Sequence, residues 1–270
     1  MARLVLTHVE PRGSRLAADL RDAGHEALLL AFSRLVAVPG SAEALAALDP
    51  AGFHRIIVVS PSAARFAALA RPGAWPEASR LAAVGPGTAE ALAEAGIVDA
   101  PGRVETPAGD RHDADALLEL ASFGADGDGR EVLVLAGDAG RRDWADVLMN
   151  RGFRVERIEL YRRTGIAPSE CDWRQLADWA GQGGEPVFVV TTVDAADRLL
   201  AGLAARRLGD WARRCVGLCP HDRIAQRLAT AGWRDVRVPG AGRRLLDAAI
   251  ESGLARREAG NDERRDANRQ

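Results

Sequence analysis

Short apolar runs bounded by turn residues alternate with amphipathic stretches along the whole chain. Leu4–Thr7, Arg55–Val59, Leu81–Val84, Val132–Leu135, Val187–Thr191 and Cys215–Leu218 read as strands buried on both faces. Apolar positions at helical spacing follow most of them, over Ser14–Ala23, Ser62–Leu69, Thr88–Ala95, Asp113–Ala121, Arg142–Arg151, Asp194–Ala204 and Arg223–Ala231. Buried strands alternating with helices predict βαβ units and parallel sheets.

Two segments break this rhythm. His25–Val38 and Phe153–Ile166 are each longer than the usual strand of about 5–6 residues, and each carries an arginine at a mirrored place, Arg34 and Arg162. They also expose a duplication. An offset of 128 residues carries the helix-ending Gly24 onto Gly152, Leu16 onto Trp144, Leu20 onto Leu148, and Ala27–Val38 onto Val155–Ile166, without a gap. The expected architecture is α/β, with two similar domains of parallel sheet flanked by helices, joined by a two-stranded antiparallel β-ladder. Residues 1–35 with 168–254 form one discontinuous domain and 41–155 the other. Residues 36–40 and 156–167 connect them, the ladder taking in part of 26–38. The charged segment 255–270 has no apolar periodicity and is predicted to be a disordered tail. Duplicated α/β chains commonly hold their ligand between the halves, and a cleft there is the first place to seek function.

At 270 residues the chain is long enough for two cores. Hydrophobic residues make up 47% and charged residues 27%, no apolar run approaches the ~18 residues needed to cross a bilayer, and no signal-peptide pattern opens the chain, so a cytosolic protein is expected. Three cysteines without a CxxC pair argue against a disulfide framework. All 36 positive charges are arginine, which excludes Schiff-base and P-loop lysine chemistry. The net charge of −2 leaves no basic footprint for nucleic acid.

In parallel sheets, ligands gather at the carboxyl ends of strands, where helix N-termini offer free N–H groups to anions. Four such turns carry hydroxyls or glycines: Val59-Ser60-Pro61-Ser62, Val190-Thr191-Thr192-Val193, Val84-Gly85-Pro86-Gly87-Thr88, and Ala136-Gly137-Asp138-Ala139-Gly140-Arg141. Each of Ser60, Ser62, Thr88 and Thr192 taken singly reads as a helix cap; four turns aimed at one cleft read as an anion site. Gly85-Pro86-Gly87 lacks the third glycine of a dinucleotide fingerprint. Cys215, Cys219 and His221 fit no usual zinc spacing and read as packing, and His8, His25, His54 and His112 read as turn or surface histidines. Tyr161, the single tyrosine, lies in Glu159-Leu160-Tyr161-Arg162-Arg163 on the second connector. Its phenol can exchange a proton or stack, and it reads equally as a packed strand aromatic.

Val5-Leu-Thr-His-Val-Glu-Pro11, Val58-Val-Ser-Pro-Ser62, Ala83-Val-Gly-Pro-Gly-Thr-Ala89, Leu135-Ala-Gly-Asp-Ala-Gly-Arg141 and Ile158-Glu-Leu-Tyr-Arg-Arg163, in this order, resemble the uroporphyrinogen-III synthase family, over about Arg3 to Leu254. The resemblance implies two α/β domains joined by a β-ladder. It implies cyclisation of hydroxymethylbilane, a linear tetrapyrrole bearing two carboxylates per ring, to uroporphyrinogen III, with loss of water and inversion of the last pyrrole. It implies no metal and no organic cofactor; a monomer is expected. Tyr161 matches the tyrosine proposed to help the hydroxyl depart. Thr88 matches the threonine after Gly-Pro, and Ser60 and Thr192 match the hydroxyls of the family's Thr-Ser turn. With their neighbours they give the expected substrate-binding set Ser60, Pro61, Ser62, Gly85, Thr88, Gly137, Arg141, Thr191 and Thr192. The chain departs from the family where Thr7-His8-Val9 replaces Thr-Arg-Pro and where Cys219-Pro-His-Asp-Arg-Ile224 replaces a second Gly-Pro-x-Thr turn. A tetrapyrrole binder without catalysis, or an unrelated two-domain binder of a small ligand, are the alternatives.

Overall fold

The computed structural model describes all residues except 110, 112, 125, 126, 140–142 and 268–270, and the side chains of 143, 144 and 257–267 also lie outside the description. The chain begins with β1 (Arg3–Leu6), α1 (Arg12–Asp22), β2 (Glu26–Leu29), β3 (Ser33–Ala37), α2 (Ser41–Ala46), β4 (Arg55–Val58), α3 (Pro61–Ala70), β5 (Leu81–Ala83), α4 (Pro86–Glu94) and α5 (Ala114–Leu118). It continues with β6 (Glu131–Gly137), α6 (Asp143–Asn150), β7 (Arg154–Gly165), α7 (Glu170–Gly181), β8 (Val187–Val189), α8 (Val193–Ala205), α9 (Gly209–Ala212), β9 (Val216–Leu218), α10 (Asp222–Thr230), β10 (Asp235–Arg237) and α11 (Arg243–Ala267).

Two compact units result, Met1–Leu35 with Thr164–Gln270, and Val36–Arg163. In the first, the strands lie in the order β10-β9-β8-β1-β2, every neighbour parallel. The other sheet runs β3-β7-β6-β4-β5 with parallel pairing from β7 to β5. Its edge strand β3 runs the opposite way: the Val38 N–H donates to Leu160 O at 3.1 Å, whereas Phe32 O, earlier in the chain, accepts from the later Ile166 at 3.1 Å. The sheet is therefore mixed.

Strand residues alternate between two apolar layers, as the period of two requires. Val5, Leu28 and Phe188 pack with Trp173, Trp211 and Trp233 on one side of the first sheet, and Leu4, Leu6 and Val187 with Ala17, Leu245 and Ala249 on the other. In the second unit Ile56, Val58 and Leu133 face a layer holding Trp75 and Leu92, while Ile57, Val132 and Val134 face Leu117, Phe123 and Leu148. Strands covered on both faces need continuous apolar runs, which is why these segments are legible in the sequence.

The duplication extends to register. β1 and β6 begin at Arg3 and Glu131, β2 and β7 at Glu26 and Arg154, and β3 and β7 end at Ala37 and Gly165, each pair 128 residues apart. Arg3 stands opposite Glu26 and Glu131 opposite Arg154. Both pairs are ion pairs with their signs exchanged. Gly24 and Gly152, at φ 83° and 85°, end the matching helices in the left-handed conformation that glycine adopts most cheaply.

Several expectations are corrected. The segment 25–38 is not one strand. β2 stays in the first sheet, where the Leu30 N–H still reaches Leu6 O, and buried Leu30 and Phe32 anchor a break before β3 starts. Its counterpart β7 is continuous over 12 residues. The helix expected over Asp113–Ala121 shrinks to Ala114–Leu118, followed by a 3₁₀ turn at Ala121–Phe123. The backbone of the expected disordered tail continues α11 to Ala267; Ala, Arg and Glu are good helix formers and extend a helix already nucleated by buried Leu245 and Ala249. Among the described residues, no helix is long and apolar enough to cross a membrane.

Candidate active site

Each sheet has a point where the chain's windings diverge. In the second unit β6 leads through α6 to β7 on one side, while β4 leads through α3 to β5 on the other. Crevices at the carboxyl ends of such strands are where open α/β sheets take their ligands. At this switch point stand Ser60, after β4, and Gly137, at the end of β6.

Ser60 has an extended backbone (φ −163°, ψ 161°), and its Oγ accepts from the Ala63 N–H at 3.1 Å, capping α3, whose first residue is Pro61. The same Oγ lies 3.1 Å from the phenol oxygen of Tyr161. Tyr161 is placed by three features. Its ring stacks on Phe66 of α3, centroids 5.2 Å apart and planes at 25°. The pairing of β6 with β7 slips between Ala136 and Gly137, so that Ala136 faces Glu159 and Gly137 faces Tyr161. Leu160 and Tyr161 consequently pack against the same apolar layer, where regular pleating would send them to opposite faces. Finally, a Cβ on Gly137 would fall 2.7 Å from Cε2 and Cζ of Tyr161, so only glycine admits the ring here. Since Ser60 Oγ already accepts from Ala63, its own proton can go to the phenol oxygen. The tyrosine hydrogen then remains free for another acceptor.

One strand further along, Gly85 caps α4 with backbone alone, Pro86 follows, and Thr88 lies in the first turn at 5% exposure. In the first unit the switch point lies between β1 and β8. Thr7 Oγ donates to Val189 O at 3.2 Å and accepts the Thr191 N–H at 3.1 Å, and Thr191 Oγ1 donates to Thr7 O at 3.2 Å. Thr192 caps α8 by accepting from Ala195 N at 3.1 Å, the same geometry as Ser60 on Ala63.

The sequence-predicted set thus divides. Tyr161, Ser60 and Gly137 come together, with Pro61 and Ser62 in the adjoining helical turn. Gly85 and Thr88 occupy the next turn of the same sheet. Thr191 and Thr192 belong to the other unit, the former with its hydroxyl engaged by Thr7. Arg141 lies outside the described residues, as does His112. The capping reading holds for Ser60 and Thr192, and not for Ser62 or Thr88.

Phe66, Thr7 and Arg157, whose Nη2 donates to Gly137 O at 2.8 Å, also take part, though none lies in the four hydroxyl- or glycine-bearing turns. Phe66 carried a signal, the one large aromatic on an otherwise alanine-rich helix. His8 is a turn histidine, as expected, but a half-buried one: it follows β1, its Nδ1 has no hydrogen-bond partner among the described residues, and burial, with Arg12 nearby, lowers its pKa to about 4. Cys215 and Cys219 sit in the core, where burial pushes both thiols up to about 12, and exposed His221 merely precedes α10.

Fold and site together define a duplicated, doubly wound α/β protein whose polar side chains gather at the switch point of each sheet. The family model described as uroporphyrinogen-III synthase HemD matches residues 14–241. The uroporphyrinogen-III synthase of Salmonella typhimurium is 30% identical over 241 residues, covering 87% of this chain and 94% of that one. That of Escherichia coli K12 is 28% identical over 242 residues, with the same two coverages. The solved uroporphyrinogen-III synthetase of Helicobacter pylori shares the fold, at a TM-score of 0.51 and 16% identity over 93% of this chain and 99% of that one. The chain belongs to the uroporphyrinogen-III synthase family.

Proposed function

We propose that this protein cyclises hydroxymethylbilane to uroporphyrinogen III, with loss of water and inversion of the terminal pyrrole ring. Family membership over residues 14–241 carries the activity and sets aside an unrelated small-ligand binder. The observation that favours catalysis over mere binding is the phenol of Tyr161, held 3.1 Å from Ser60 Oγ at a sheet switch point.

In the proposed chemistry, the hydroxyl on the terminal pyrrolic methylene leaves as the ring nitrogen pushes electrons toward that carbon. The departing oxygen takes a proton, and water is released. Tyr161 is the donor to that oxygen, its own oxygen steadied by Ser60. The hydroxyls of Ser60, Ser62, Thr88, Thr191 and Thr192 and the backbone N–H groups at the starts of α3, α4 and α8, where helix N-termini carry partial positive charge, are the proposed partners of the carboxylates, in a substrate-binding set that also takes in Pro61, Gly85, Gly137 and Arg141. Such a set suits a polyanion without demanding a basic protein, in keeping with the net charge of −2.

The proposal further places the enzyme in the cytoplasm, acting as a monomer and without metal or organic cofactor. Buried Cys215 and Cys219 held as free thiols suit a reducing compartment, and a single chain carries both copies of the repeat. Incubation with freshly prepared hydroxymethylbilane tests the reading: uroporphyrinogen III is expected, and the spontaneous type I isomer alone would refute it.

A further inference from the structure

We infer that Arg157 is a positioning residue for Tyr161, acting through one peptide group. Arg157 lies on β7 four residues before the tyrosine, with its side chain 16% exposed. Its Nη2 donates to Gly137 O at 2.8 Å. The N–H of the same peptide, on Asp138, donates to Tyr161 O at 2.9 Å. The peptide joining Gly137 to Asp138 is thus held from both ends, by a guanidinium on its carbonyl and by the tyrosine's own backbone on its N–H.

This peptide sits where the β6–β7 register slips. A slip leaves the ladder locally without its regular bonds, so the backbone there takes its position from whatever else binds it. Gly137 has no side chain to wedge it, and its Cα lies flush against the tyrosine ring, a Cβ there falling 2.7 Å from the ring carbons. Movement of the peptide by a few tenths of an ångström therefore moves the ring relative to Ser60.

Keeping a guanidinium here is costly. Nε and Nη1 are buried and lack hydrogen-bond partners among the described residues, and Glu159 Oε1 approaches Nε only to 3.6 Å. A half-satisfied buried charge weakens a fold unless it does something an apolar residue cannot. Among the described residues, the one direct hydrogen bond that this guanidinium makes is to the carbonyl behind the tyrosine.

The functional consequence rests on the proposed role of Tyr161, so the test separates the two. Tyr161 is the chain's single tyrosine, and protein labelled with ring-¹³C tyrosine gives one ring signal that reports the phenol without any substrate. Arg157→Met and Arg157→Gln both remove the guanidinium together with its desolvation cost, so at least one is expected to fold. In each folded variant the ring signal should shift or broaden, Arg157→Lys should return it most of the way, and Arg154→Met, on the same strand but exposed, should leave it alone. The same variants should lose about tenfold in kcat, part of the ~10²-fold that a well-placed proton donor supplies, with KM nearly unchanged. An unmoved ring signal in either folded variant overturns the inference. A moved signal with unchanged kcat upholds the positioning and counts against the chemistry assigned to Tyr161.

Discussion

Ser60 Oγ and the Tyr161 hydroxyl stand 3.1 Å apart, joining the cap of α3 to the one tyrosine of the chain. The other unit supplies the control for this contact. Thr192 caps α8 with the same 3.1 Å bond to the backbone three residues on, and no phenol is bonded to it. Ser60→Ala and Thr192→Ala should each lower stability by about 1 kcal/mol, the usual cost of a lost cap. Urea unfolding at neutral pH measures this. Only Ser60→Ala should also disturb the tyrosine ring signal, and equal disturbance by both variants would show that the hydroxyl contact is incidental.

Gly137 should tolerate no side chain. Gly137→Ala places a methyl 2.7 Å from the Tyr161 ring, and overpacking of this kind costs about 1–3 kcal/mol. Pairing it with Tyr161→Ala should restore most of the stability lost to overcrowding while leaving turnover low. A double-mutant cycle reads this coupling directly, and additive losses would mean that the ring and the glycine do not press on one another.

His8 gives a pH dependence whose sign follows from its environment. Burial lowers its pKa from 6.5 to about 4, so the folded state prefers the neutral ring. Its contribution to stability is fully present above pH 6.5 and is lost as the pH falls from there toward 4, amounting to about 3 kcal/mol at most. His8→Gln should flatten this part of the profile. Comparing urea midpoints of wild type and variant at neutral pH and near pH 4.5 checks it: the wild type should lose more over the interval, and parallel losses would remove His8 as a source of acid sensitivity.

Thr88 is buried at 5% exposure in the first turn of α4, and at the matching turn of the other unit buried Ile224 stands in its place. An apolar residue of threonine's shape is therefore tolerable there, which makes Thr88→Val a clean removal of the hydroxyl. If that hydroxyl meets a substrate carboxylate, kcat/KM should fall by the ~1.5–3 kcal/mol of a hydrogen bond to a charged group with the melting temperature held. Unchanged kcat/KM would leave Thr88 a packing residue.

What was legible in the sequence followed from periodicity. β4, β6 and β8 are buried on both faces and show as apolar runs, and the duplication was readable to the residue because Gly24 and Gly152 sit at equivalent left-handed positions. β10 was not legible, since its three residues include only one apolar side chain. α7 is not preceded by a buried apolar run, although Ser169 and Asp172 form a capping box ahead of buried Trp173, Leu176 and Trp179. At the site, Tyr161 and Ser60 stood out by residue type and by their turns, but their contact depends on a register slip at Gly137, and nothing in a linear pattern marks a slip. Arg157 was hidden for the same reason: an arginine on an alternating strand reads as a solvated face until the carbonyl it holds is seen.

The central claim, a synthase with Tyr161 at the reacting end, meets its most direct test in isomer-resolved product analysis. Wild type and Tyr161→Phe would be incubated side by side with fresh hydroxymethylbilane, an enzyme-free sample recording spontaneous closure to the type I isomer. Because the pyrrole nitrogen itself helps expel the hydroxyl, the phenol is expected to supply the low end of the ~10²–10⁴-fold typical of a positioned acid. The account predicts rapid type III formation by wild type, and type III still formed about a hundredfold more slowly by Tyr161→Phe. Type I alone from wild type at the spontaneous rate, or unaltered turnover by the variant, would contradict it.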